Sequence, residues 1–439
     1  MTSSPTPLPP GSSGLPFLGE TLNFFLDPDF VGKRQIKYGP IFRTHLLGRP
    51  SVMMLGPEAN EFILSSHMDH FTWNGGWPDT FRELLGESLF LQDGEKHLQT
   101  RRLLMPAFHG RALEGYFQTM LGLSNRYLHQ WEQLGTFTWL KEMKRFTFEV
   151  ASVLLVGGQP GDQQIGQLSH WFTELTNGLF MPPIRWSWLP YGKAIRARDQ
   201  LLAHIEQTIE QRRATPGNDA LSLLLQTEDE AGNRLSLAEI KVQVLLMLFA
   251  GHETSTSMLT SLVMSLAQYP EVWAKALAEQ DALAAQGPLS MDQLRAMPYL
   301  DQMLKEVERL YPPVGAGFRK VVKPFEFNGY HVPAGWTVVY PINAAHRDPR
   351  CYTNWQAFDP DRFGPDRAEH KRFEYSLVGF GGGPRRCIGF AFAQMEMKIL
   401  AAQLLRHYTW TLTPEQNLMM MPVPTLHPAS GLEVTLRRR

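Results

Sequence analysis

One run, Val242 to Tyr269, sets the scale of whatever this chain folds into. Its sequence, VQVLLMLFAGHETSTSMLTSLVMSLAQY, holds a single residue ionised at neutral pH, Glu253. Just upstream, Ser236 and Glu239 have the spacing of a capping box, in which serine and glutamate side chains satisfy each other's backbone N–H groups. Pro270 lies just past the far end and stops the pattern. The prediction is one helix, roughly 50 Å long at 1.5 Å per residue. A helix that apolar must be surrounded, by lipid or by the rest of the protein. In lipid, Glu253 would sit near the middle, where an acid costs roughly 3 kcal/mol. Ser, Thr and His cluster around it, and no basic or aromatic belt brackets the run. The expectation is therefore a spine buried in a large helical protein.

The remainder is consistent with that. Helical periodicity dominates from about Glu58 to Gln268, broken at Gly75-Gly76, Gly157-Gly158, Met181-Pro182-Pro183 and Thr215-Pro216-Gly217. Leu300, Met303, Leu304, Val307, Leu310 and Tyr311 form one apolar stripe that Pro312-Pro313 terminate. Short strands are expected in Ile41–Leu55 around Gly48-Arg49-Pro50, in Phe325–Ile342 with turns at Asn328-Gly329 and Pro333-Ala334-Gly335, and at the C-terminus. Asn343 to Gly379 is irregular and long for a connection, which marks a functional or tightly packed segment. A final helix runs from about Gly389 to His407. The fold class is mainly α with a smaller β region. Residues 1–13, rich in Pro and Ser, are expected to be a flexible arm, and 14–439 a single domain.

The 42 basic and 43 acidic residues nearly cancel, so charge offers no sign of nucleic-acid binding. Two cysteines exclude a disulfide framework and fit a reducing cytoplasm. The N-terminal stretch has neither the charged start nor the apolar run of a signal peptide, and no membrane anchor is expected.

One of the two cysteines stands in FGGGPRRCIG, Phe380 to Gly389. A thiol just before a helix, beside Arg385 and Arg386, is placed to ionise, because the helix dipole and both guanidiniums favour the thiolate. The glycines would let the backbone approach a flat ligand and aim amides at the sulfur. Phe380 would shield that sulfur from water. Cys351, in CYTNW, lacks this context and reads as structural. Within the long helix, AGHETS places a glycine next to an acid and a threonine whose hydroxyl can bond back one turn. EVER, Glu306 to Arg309, would by spacing alone be an exposed i,i+3 pair of little consequence.

Together these segments resemble the cytochrome P450 monooxygenases. FGGGPRRCIG matches the family's haem-ligand signature F-x-x-G-x-R-x-C-x-G at every fixed position, and AGHETS resembles its oxygen-activation motif. EVER matches E-x-x-R, and Arg362 in FDPDRF matches the arginine completing the family's Glu-Arg-Arg network, with Asp361 where Glu is commoner. PPVGAGFR, LFAGHETSTS and GLPFLGETLNF are most similar to the cyanobacterial branch related to animal retinoic-acid hydroxylases.

The resemblance covers nearly the whole chain and implies the following. Cys387 is the metal ligand of haem b, since no Cys-x-x-Cys-His attachment site exists. Arg319, Arg385, His97 and Arg101 are candidate partners of the haem carboxylates, His97 standing where the family often has tryptophan. Phe380 and Gly389 complete the cofactor-binding set. Glu253 and Thr254 are the catalytic pair that manages protons. The implied substrate is a hydrophobic small molecule such as a retinoid or apocarotenoid, contacted by segments including Trp73–Gly86, Asn177–Trp188, the residues before Gly251, and Val314–Phe318. Dioxygen is the co-substrate. A ferredoxin- or flavodoxin-type donor supplies electrons, docking near Arg385, Arg386 and the RRLL segment. A haem-thiolate isomerase or dehydratase and a non-catalytic haem sensor remain open at this level.

Overall fold

The computed structural model describes residues 6–15 and 19–439. Five helices bear on the residues described below: α1 (Gly94–Leu104), α2 (Trp139–Ala151), α3 (Leu237–Gln268), α4 (Pro298–Leu310) and α5 (Phe390–His407). Five strands build the larger sheet: β1 (Ile41–Leu46), β2 (Arg49–Met54), β3 (Phe71–Thr72), β4 (Ala316–Val321) and β5 (Thr337–Pro341). The chain divides into two compact units, one of residues 1–77, 308–357 and 365–387, the other of 78–307, 358–364 and 388–439.

The first unit holds the larger sheet, in the order β1-β2-β5-β4-β3. Leu47 (φ 52°) and Gly48 (φ 73°) both lie in the left-handed region, and this primed turn sets Leu46 opposite Arg49. β2 runs parallel to β5, and β5 pairs antiparallel with β4. Ile41, Val52, Met54, Phe62, Phe71, Trp73, Val338 and Tyr340 form part of the core on this sheet. Residues 6–13, inside the segment expected to be a flexible arm, are tied to it. Arg43 N–H donates to Pro10 O (2.8 Å), Ser12 N–H to Arg43 O (3.3 Å), and His331 N–H to Pro7 O (2.8 Å). The first five residues of that arm lie outside the described residues.

The second unit is helical around α3. The capping box forms as expected: Ser236 Oγ accepts from Glu239 N–H at 3.3 Å, and Glu239 Oε2 accepts from Ser236 N–H at 2.9 Å. Both flanks of the helix, Gln243–Leu248 and Ser255–Leu266, are buried. No helix among the described residues is long and apolar enough to cross a membrane. A three-stranded sheet pairs Glu433–Arg438 with Thr136–Thr138 on one side and Tyr408–Leu412 on the other. The short strand at Thr136 is not apparent from the sequence, because three residues carry no readable alternation.

Candidate functional site

In the first unit, Cys387 is exposed and Cys351 is buried. Burial pushes the Cys351 thiol up to about 12, so it stays protonated and inert. The cysteine loop closes on itself: Cys387 N–H donates to Phe380 O at 2.8 Å, and Arg386 N–H to Gly383 O at 3.1 Å. Its glycines serve packing against the protein as much as ligand approach. An added Cβ on Gly382 would lie 2.7 Å from the Tyr375 ring, and one on Gly383 (φ 57°) would enter the Leu64 carbonyl. Gly389 forms the N-cap of α5.

Two buried groups pin this loop from outside. Glu308 Oε1 accepts from Phe380 N–H at 3.3 Å. His346 Nε2 accepts from Val378 N–H at 2.9 Å, while its Nδ1–H donates to Arg309 O at 3.1 Å. Burial, then the nearby Arg309 charge, lowers the His346 pKa to about 3, which keeps the ring neutral and able to bridge. Arg309 in turn donates to His346 O (2.9 Å), Trp355 O (2.8 Å) and Ala357 O (3.1 Å). In the second unit, Arg362 Nε donates to Glu306 Oε1 at 3.1 Å, and Asp359 N–H to the same oxygen at 2.8 Å. Glu306, Arg309 and Arg362 are each 0% exposed, so the reading of EVER as a surface pair is overturned. The 3.6-residue period places those charges at the edge of a stripe; only the segment 343–364 packing over them makes that edge interior.

Arg319 and Arg385 meet in the first unit. Their guanidinium carbons lie 3.2 and 4.1 Å from the centroid of the same ring, that of Trp73. Arg319 is 4% exposed and donates to Phe318 O (2.7 Å) and to the Tyr340 hydroxyl (2.8 Å). The Trp73 ring and the Tyr340 hydroxyl are partners of these arginines that no motif marks, although Trp73 opens a segment expected to contact substrate. The nearest signal was the NGG turn between Trp73 and Trp77. Arg386 is the exposed arginine of the loop, whereas Arg385 is turned onto the ring.

In the second unit, α3 is open in its middle: Ala250 is exposed and Gly251 and Thr254 are half-buried between fully buried flanks. Thr254 Oγ1 donates back to Ala250 O at 2.7 Å, as expected for a threonine one turn on. Glu253 is 5% exposed. Its Oε1 lies 3.5 Å from Lys144 Nζ on α2 and 3.6 Å from His252 Nε2, while Oε2 has no hydrogen-bond partner among the described residues. His252 is held by Thr147, whose hydroxyl lies 2.8 Å from His252 Nδ1 and 2.7 Å from Thr256 Oγ1. Burial lowers the His252 pKa to about 4, so this ring is neutral at pH 7. On α1, His97 is buried and Arg101 half-buried, one turn apart.

In the first unit, an exposed thiol in a glycine-rich loop and two arginines against one indole ring fit haem rather than a metal held by protein alone. No group of three or more His, Cys, Asp or Glu among the described residues is placed to hold a metal ion. The family model described as cytochrome P450 matches residues 9–435. The chain belongs to the cytochrome P450 family.

This P450 is 42% identical to cytochrome P450 120 of Synechocystis sp., over 99% of both chains. It is 34% identical to cytochrome P450 26B1 of Xenopus tropicalis, over 98% of this chain and 86% of that one. The solved structure "Retinoic acid bound cyanobacterial CYP120A1" superposes with a TM-score of 0.92 at 42% identity, covering 99% of this chain and 100% of that one. The P450 is thus an enzyme of the monooxygenase class whose family implies a haem-iron cofactor.

Proposed function

We propose that this P450 is a haem-thiolate monooxygenase that hydroxylates a retinoid or related apocarotenoid, with residues 14–439 acting as one catalytic domain in the cytoplasm. The observation that carries the reading is the exposed Cys387 thiol in a loop held by Glu308 and His346. Haem b, once bound, would supply oxygen activation, and electron donation from the Cys387 thiolate would favour that chemistry.

Cys387 Sγ holds the iron, and Phe380 keeps water from that sulfur. Arg319, Arg385, His97 and Arg101 bind and orient the haem carboxylates through charge-assisted hydrogen bonds. Thr254 Oγ1, now bonded to Ala250 O, holds the proton to be delivered. Glu253 replenishes it, because Oε2 is buried with no hydrogen-bond partner among the described residues and can take a water, while Lys144 anchors the other oxygen at 3.5 Å. An acid and an alcohol poised for proton delivery support oxygen chemistry over isomerisation or sensing. Electrons come from a separate ferredoxin- or flavodoxin-type donor that meets exposed arginines such as Arg386.

Likeness to a relative solved with retinoic acid bound supports the substrate class. The test is a reduced, carbon-monoxide-bound spectrum of wild type and Cys387→Ala, followed by incubation with retinoic acid, oxygen and a reducing system. A strongly red-shifted Soret band lost in the variant, with hydroxylated product, is expected. A wild type without that band refutes the haem-thiolate reading. A wild type with the band but no spectral shift and no product refutes the retinoid.

A further inference from the structure

We infer that Trp73 is a positioning residue for the cofactor: its indole ring holds both Arg319 and Arg385, as a receptor for the two haem carboxylates. The inference rests on the haem-thiolate reading and goes beyond it by assigning a residue that no motif marks.

Both guanidinium carbons lie within about 4 Å of one ring centroid and so within roughly 8 Å of each other. Two like charges that close repel. The electron-rich indole face offsets part of that repulsion, and indole does so better than a tyrosine or phenylalanine ring. Carboxylates offset the rest, and a guanidinium takes a carboxylate in a planar, two-pronged geometry that its orientation must match.

The surroundings fix that orientation. Trp73 is 5% exposed and belongs to the core of the larger sheet. The turn Asn74–Gly76 that follows lies directly on β4, the strand bearing Arg319. An added Cβ on Gly76 would sit 2.6 Å from Phe318 O and 2.8 Å from Arg319 Cα, so only glycine allows this approach. Arg49 Nη1 donates to Gly75 O at 2.9 Å and secures the turn. Across the strand, the Tyr340 ring crosses over Gly317, where any side chain would collide with it, and its hydroxyl accepts from Arg319 Nη2. Arg319 is therefore held between two aromatic rings, one of which also carries Arg385. Trp73 opens the segment expected to contact substrate, and its ring is taken up by these two arginines.

The experiment follows haem loss from the holoenzyme to excess apomyoglobin for wild type, Trp73→Leu and Trp73→Phe. Each is loaded with haem or with haem dimethyl ester, which lacks the carboxylate charges. Circular dichroism melts of each protein check folding. Trp73→Leu should lose haem roughly tenfold faster than wild type, Trp73→Phe less so, and neither should differ from wild type with the ester. Equal acceleration with haem and ester would mean that Trp73 only packs, and no acceleration would mean that it does nothing for the cofactor; either overturns the inference. If Trp73→Leu fails to fold, Trp73→Phe carries the same haem-selective criterion. Absence of the red-shifted carbon-monoxide band in wild type is a separate result and refutes the underlying haem-thiolate reading.

Discussion

Glu396 lies on α5, nine residues after Cys387, and is 1% exposed. Among the described residues, neither carboxylate oxygen has a hydrogen bond of normal geometry, and the Ser255 hydroxyl of α3 favours the charged form. Burial therefore pushes its pKa up from 4.5 to about 8, and the side chain carries a proton at neutral pH. Between pH 4.5 and 8 the folded state keeps a proton that the unfolded chain releases, so stability falls as pH rises through that window. At about 1.36 kcal/mol per pH unit, the loss between pH 5 and pH 8 comes to about 3.5 kcal/mol. Glu396→Gln keeps the shape and removes the titration. The measurement is urea unfolding of the loaded wild type and variant across pH 5 to 8. The variant's advantage should widen by about 3.5 kcal/mol, or roughly 4 °C in melting temperature for a chain this long. An infrared carbonyl band of a protonated carboxylic acid should be present in wild type at pH 7 and missing in the variant. A stability difference that stays constant across this range would refute the reasoning, as would the lack of that band.

Arg362→Ala removes a fully buried ion-pair partner from Glu306 and should cost about 3–5 kcal/mol in denaturant unfolding; pairing it with Glu306→Gln should recover a large part. His346 contributes stability that is full above pH 6.5 and lost as pH falls toward 3, since protonation removes the acceptor for Val378 N–H. Acid-induced haem release should therefore show a flatter pH profile in His346→Gln. Thr254→Ala and Glu253→Gln should each cut product per electron consumed, on the order of tenfold or more, with peroxide appearing in its place; unchanged coupling ratios would remove both from proton delivery. Arg386→Glu should slow reduction by an acidic donor and weaken its salt dependence, and an unchanged reduction rate would move the donor elsewhere.

Much of this P450 was legible because its signals are local. The capping box at Ser236 and Glu239, the stop at Pro270, the stripe ended by Pro312-Pro313 and the turn at Asn328-Gly329 depend on neighbours within a few residues, which propensity and spacing record. The cysteine loop and AGHETS were legible for the same reason, since each carries its chemistry in under a dozen consecutive positions. What escaped depends on partners tens of residues apart, as with the 72 between Glu308 and Phe380. Glu308 is one more charge on a helix until Phe380 N–H arrives beside it, and nothing in the local sequence around His346 marks its bonds to Arg309 and Val378. The same holds for Glu396, whose raised pKa comes from being walled in rather than from any motif.

By itself, then, the sequence determined which residues could do the chemistry: one thiol beside a helix start, an acid and an alcohol in a long apolar helix, and enough arginines to meet two carboxylates. Only the tertiary structure decided how they are held. It turned Arg385 and Arg319 onto Trp73, left Arg386 exposed, and sank Glu306, Arg309 and Arg362 out of water. The reason is physical: periodicity and spacing encode contacts along the chain, whereas burial, charge pairing and the direction of a side chain are set by whatever distant segment packs against it.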